Sequence, residues 1–120
     1  MTSTLTESRV FDIHLTMKSN LKSTVTLAPG QFERIAKALA DPRRFTVLQT
    51  IAASKHECAY QRICSKIPVT KATISHHLKE LVQAGLVETE RDGQYVHACI
   101  RPGVIEAYAS ELVRRAGGTD

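Results

Sequence analysis

No apolar run in this 120-residue chain approaches the roughly 18 residues that cross a bilayer, and the first apolar stretch, Val10 to Met17, is interrupted by Asp12 and His14. Secretion and membrane association are therefore not expected. Cysteine is scarce: three residues cannot all pair within one chain, and no Cys-x-x-Cys occurs. Neither a disulfide framework nor a zinc knuckle is indicated, and a reducing cytoplasm is the expected compartment. The chain also lacks a Ser/His/Asp order, a nucleotide-binding glycine loop and a recognisable carboxylate pair, so it is not read as an enzyme. It has no internal repeat and no low-complexity tract. What it has is 42% hydrophobic and 23% charged residues, the balance of one globular domain, with a formal net charge of +4 that is compatible with a polyanionic partner.

Residues 1–28 are rich in Thr and Ser without a sustained period and read as a flexible N-terminal tail, with Met17 a second candidate start; the domain is expected over 29–120. Phe32, Ile35, Ala36 and Leu39 recur at i, i+3, i+4 and i+7, which predicts an amphipathic helix over about Pro29 to Leu39. Asp41 offers an N-cap and Pro42 a first helical residue for a second helix, whose apolar positions Phe45, Val47, Leu48 and Ile51 carry it to about Ala53 and make it largely buried. A polar break follows over Ser54 to Glu57. Tyr60, Ile63, Cys64 and Ile67 mark a short third helix that Pro68 ends. Thr70 caps a fourth, with Ile74, Leu78, Leu81 and Val82 inward and Ala72, Ser75, His76, Lys79 and Gln83 outward; Gly85 stops it. Two strands, Leu86 to Arg91 and Gln94 to Ile100, flank Asp92-Gly93, a pair favoured in type I′ hairpin turns. Arg101-Pro102 opens a last helix with the stripe Ile105, Tyr108, Ala109 and Leu112.

The predicted fold is mainly α with a small β-hairpin: a winged helix-turn-helix of five helices and a wing. Hydroxyls, an imidazole and an ammonium on the outer face of the fourth helix suit a major groove, because they reach base edges and phosphates with little apolar surface to desolvate. The free N–H groups of its first turn favour a phosphate. The candidate DNA contacts are Thr70, Lys71, Thr73, Ser75, His76 and Lys79, joined at the wing by Arg91 and Gln94, with double-stranded operator DNA as partner. A winged helix used only for protein interaction is the rival reading, and salt-sensitive DNA binding separates the two. The terminal helices each carry a stripe that a small core cannot cover, so a homodimer is expected, sealed by Phe32, Ile35, Leu39, Ile105, Tyr108 and Leu112.

Ala38-Leu39-Ala40-Asp41-Pro42-Arg43-Arg44, Thr73-Ile74-Ser75-His76-His77-Leu78 and Ala84-Gly85-Leu86-Val87, followed by Asp92-Gly93, stand in an order and spacing that resemble the ArsR/SmtB family of winged-helix repressors over about residues 29–115. The resemblance implies a homodimeric repressor that leaves its operator when an inducer, often a soft metal or metalloid, binds it. Where metal-sensing relatives carry Cys-x-Cys, this chain has Ala59 and Gln61, and residues 103–116 lack the histidine of the zinc site that many relatives build on the last helix.

Any thiol response must then come from Cys58, Cys64 or Cys99, with arsenite or another thiophilic ion, or an oxidant, as inducer. Six residues apart, Cys58 and Cys64 would sit about 9 Å and about 120° apart on one helix, too far for a simple chelate. Cys64 falls on an apolar stripe and reads as structural. Cys58, beside His56 and Glu57 at a helix start, is the first choice as effector thiol, and Cys99 is expected to be exposed on a strand face with Tyr95 and His97. Asp12 and His14 are candidate ligands from the tail, and His77 reads as structural while His76 points outward.

Overall fold

The computed structural model describes residues 25–55 and 57–118, in the order α1 (Gln31–Leu39), α2 (Pro42–Ala53), β1 (Glu57–Ala59), α3 (Tyr60–Lys66), α4 (Lys71–Gln83), β2 (Val87–Asp92), β3 (Tyr95–Ile100) and α5 (Val104–Arg115). The expectations for Met17, Asp12, His14 and His56 lie outside the described residues.

Local chemistry sets most of the corners. Asp41 holds an extended conformation and its Oδ1 accepts the backbone N–H groups of Arg43 at 2.9 Å and Arg44 at 3.2 Å, satisfying two donors that the first turn of α2 leaves open. These backbone N–H groups, Arg44's foremost, hold the Asp41 carboxyl below its usual range. Ile67 ends α3 in an extended conformation, as a residue before proline must, and Thr70 Oγ1 accepts the Thr73 N–H at 3.1 Å to start α4. Gly85 leaves α4 at φ 78°.

Three elements differ from the sequence reading. The break after α2 runs at Glu57 into an unexpected strand, β1, which pairs antiparallel with β3, so the wing belongs to a three-stranded sheet of order β1-β3-β2. The hairpin pairs Asp92 with Tyr95, which puts Gly93 and Gln94 at the centre of the turn. Only Gly93 has a positive φ, 63°, the type II′ pattern in place of the expected I′. The last helix begins at Val104, because Gly103 at φ 81° interrupts the chain after Pro102.

The core is aliphatic: Ile35 of α1, Val47 and Ile51 of α2, Ile63 of α3, Ile74 and Leu81 of α4, and Leu86 and Val87 at the sheet are fully buried. Leu27, in the stretch read as tail, packs against this core. Phe45 and Val82, both read as inward, are exposed. Phe45 sits in the first turn of α2, and Val82 borders the groove between α4 and the wing.

Helix α5 lies on α1. The Tyr108 and Phe32 rings are 5.1 Å apart, and the Arg115 guanidinium stands 4.2 Å over the Phe32 ring while pairing with Glu33 at 3.1 Å and Glu111 at 2.7 Å. Two arginine partners, Arg114 first and then Arg115, pull the Glu111 carboxyl down to about 2. Only Val104 and Ala107 of α5 are buried, which leaves Ile105 38% and Leu112 45% exposed. Ile35, expected in a subunit seam, has no surface left to offer a partner, because it is consumed by its own core.

Candidate nucleic-acid interface

Pro68 ends α3 and Thr70 starts α4 within four residues, which fixes the two helices as a helix-turn-helix and turns one side of α4 to solvent. Thr70, Lys71, Ser75, His76 and Lys79 are exposed there and Thr73 is half-buried, its hydroxyl 2.8 Å from that of Thr70. His77 is 5% exposed and turned inward, where burial first of all holds its imidazole below the usual histidine range.

A residue that the sequence reading used only to mark the α3 stripe completes this surface. The Tyr60 hydroxyl donates to the Lys71 carbonyl at 3.1 Å and lies 2.9 Å from Ser75 Oγ. With the phenolic proton on the carbonyl, Ser75 donates to Tyr60 and keeps its lone pairs for another donor. Tyr60 thus ties the start of α3 to the first turn of α4. An aromatic ring with a polar tip at a helix start was the available signal, and its partner lies fifteen residues away.

Strand alternation sorts charge on the wing. Thr89 and Arg91 share the side of β2 that faces α4, and with Ser75, Lys79, Val82 and Val96 they line a groove of about 600 Å³. Glu88, Glu90 and Asp92 point to the other side, opposite Cys99, His97 and Tyr95 of β3. The arginine is therefore on the side that faces α4 and the carboxylates are turned from it. Gln94 is exposed at the tip.

The same alternation separates the cysteines. Cys58 sits on β1, not at a helix start, and is buried in the core opposite Ala98, whereas Cys99 pairs with Glu57 and Glu88 on the outer face. Burial, followed by the carboxylates of Glu57, Glu90 and Glu88, pushes the Cys99 thiol up. Cys64 is half-buried on α3 against the core. Cys58 and Cys99 of one protomer thus face away from each other and do not fit a shared thiophilic ion, and among the described residues no group of three His, Cys, Asp or Glu is gathered for a metal.

Residues 39–90 match a family model described as a helix-turn-helix domain. The chain is 31% identical over 75 residues to YceK, an uncharacterized HTH-type transcriptional regulator of Bacillus subtilis, covering 62% of this chain and 75% of the relative. It is 28% identical over 72 residues to the transcriptional repressor SdpR of the same organism, covering 60% of this chain and 78% of that one. Among solved structures it resembles the homodimeric winged helix-turn-helix DNA-binding domain of a possible ArsR-family regulator from Mycobacterium bovis. That match has 32% identity and a TM-score of 0.56, and it covers 73% of this chain and 79% of the other. No helix among the described residues is long and apolar enough to cross a membrane. Sequence and fold agree: the chain belongs to the ArsR family of winged helix-turn-helix transcriptional regulators.

Proposed function

We propose that the protein is a homodimeric repressor that reads an operator with the exposed face of α4, flanks it with the wing, and leaves it when an inducer binds. The sorting of charge carries this reading: Lys79 of α4 and Arg91 of the wing line one groove while Glu88, Glu90 and Asp92 are turned away. In this reading Thr70, Lys71 and Thr73 hold phosphate at the start of α4, and Ser75 and His76 face base edges. Ser75, its proton committed to Tyr60, serves as an acceptor for an amino group such as cytosine N4 or adenine N6. Lys79, Arg91 and Gln94 meet the backbone.

Three observations support the dimer and the repressor role. Ile105 and Leu112 stand exposed on α5, the Mycobacterium bovis relative is described as homodimeric, and SdpR is named a repressor. The seam in this reading consists of Ile105 and Leu112 over Phe32, Tyr108 and Leu39. As domain limits we propose a regulatory domain over 29–120, extended to take in Leu27, preceded by the tail. A soft ion or oxidant acting as inducer would meet Cys64 or Cys99 before Cys58.

The test is fluorescence anisotropy with a duplex taken from immediately upstream of the protein's own gene, at several salt concentrations. Binding should weaken steeply with salt. Lys79→Ala should lower the salt slope by about one, and His76→Ala should cost about 1 to 3 kcal/mol on the specific duplex alone. Salt-insensitive binding, or none, refutes the reading.

A further inference from the structure

We propose that His77 is a positioning residue for the recognition helix: as a neutral acceptor for Arg44 it holds α4 against α1 and α2, and its protonation releases that hold and weakens operator binding in acid. The proposal rests on the DNA-binding role of α4. Its starting point is an anomaly of burial. The inward side of α4 is otherwise Ile74, Leu78 and Leu81, and His77 is the one buried polar side chain among the described residues. A leucine would fill such a place without the cost of burying a ring nitrogen.

The geometry shows what the ring does. Arg44 Nε donates to His77 Nδ1 at 3.4 Å. A guanidinium does not give up its proton, so Nδ1 must present its lone pair and the ring proton must sit on Nε2. The same Arg44 donates from Nη1 to the Ala38 carbonyl at 3.4 Å and places Nη2 3.9 Å from Asp41 Oδ2, while its backbone N–H goes to Asp41 Oδ1. One largely buried guanidinium therefore joins the end of α1, the cap of α2 and the middle of α4. His76, next in sequence and 6.0 Å from His77 between ring centroids, is on the reading face, so a shift of His77 turns a side chain that faces the duplex.

Protonation would remove the lone pair and set a second cation against Arg44. The charged groups facing the ring are Asp41, Arg44 and Arg43 from α2 and its cap, and His76 on α4 itself. Asp41 alone favours the proton; burial first, then Arg44, His76 and Arg43, oppose it, which keeps the acceptor form in place at neutral pH. When binding requires the neutral form, apparent affinity scales with the neutral fraction. It therefore falls about tenfold for each pH unit below the titration midpoint of His77. His76 stands on the proposed reading face and is replaced in the test so that His77 alone is followed.

The test uses the full chain in a His76→Gln background, with the upstream duplex read by anisotropy from pH 4.5 to 8 at fixed ionic strength. Nitrogen NMR of the free protein follows the His77 ring and the Arg44 Nε–H. The parent background should lose affinity in acid with a slope of one. His77→Asn, whose Oδ1 accepts but does not titrate, should bind as the parent does at pH 7.5 and lose the acid limb. His77→Leu should bind weakly at every pH, because it leaves the Arg44 Nε–H without its acceptor on α4. An acid limb that persists in His77→Asn overturns the proposal, as does a ring protonated on Nδ1 at pH 7.5. Should no duplex be bound, the repressor reading fails by itself, and the NMR arm still decides this one. The Arg44 Nε–H and the α4 amides must shift with the His77 titration, and signals that ignore it overturn the proposal.

Discussion

Gly85→Ala offers a quantitative test of how the recognition helix is anchored. Gly85 has φ 78°, a region that costs an L-residue about 1 to 2 kcal/mol. A Cβ there would also run into the side-chain amide of Gln31. That amide is engaged at both ends: Oε1 accepts the Ala28 N–H at 2.8 Å, and Nε2 donates to the Ala84 carbonyl at 3.1 Å, bridging the start of α1 to the end of α4. Displacing it forfeits a hydrogen bond worth about 1 kcal/mol. Reduced freedom of the unfolded chain returns about 0.4 to 1 kcal/mol. The net expectation is a loss of about 1 to 2.5 kcal/mol by urea unfolding followed by circular dichroism. Gly117→Ala is the internal control, because Gly117 also leaves a helix at a positive φ, 69°, but nothing lies within 4 Å of its added Cβ. Gly85→Ala should be the more damaging by about the value of the Gln31 contact, and Gln31→Ala should remove that difference. Equal losses at the two glycines would refute the anchoring argument.

Leu112→Asp should leave the protomer folded, since Leu112 is exposed in it, yet yield monomers that no longer hold the operator; a single-chain mass for the unmodified protein by light scattering at micromolar concentration would contradict the seam. Tyr60→Phe should cost stability only about 0.5 to 1.5 kcal/mol while changing base preference opposite Ser75, checked by a panel of single-base duplex variants; an unaltered preference would separate Tyr60 from reading. Thiol labelling of the native protein should modify Cys64 and Cys99 and spare Cys58 until the chain unfolds. Because the Cys99 thiol is pushed up by burial and then by three carboxylates, its labelling should be slow at neutral pH and quicken as pH rises. Rapid labelling of Cys58 would mean that β1 is not packed as described.

Helices with caps were legible in the sequence, because their determinants are local: Asp41-Pro42 and Thr70 lie next to the N–H groups they serve, and Pro68 acts on its own neighbour. β1 was not legible, since three residues are too few to show alternation and its pairing with β3 comes from across the fold. The same limit explains Cys58, which reads as part of a polar approach to a helix until β3 covers it. In the sequence Tyr60 and Arg44 are parts of a stripe and a motif, while their partners at Ser75 and His77 appear only when α3 and α2 pack against α4. Phe45 and Val82 fit an apolar period but lie at its margins, where periodicity does not distinguish core from surface.

β1 runs into α3 with no intervening loop, Ala59 ending the strand and Tyr60 beginning the helix, and β1 is itself stitched to the central strand of the wing. The wing tip and the reading helix are thus the two jaws of a single caliper, joined through β1, the start of α3 and the Tyr60 hydroxyl on Lys71 and Ser75. Within the proposed function, the gap between jaws is set by the protein and not by the DNA. A sequence that fits must present a groove and its flanking backbone at that span, or bend to do so. Selectivity then extends to base pairs that no side chain touches, through the stiffness of the steps between them.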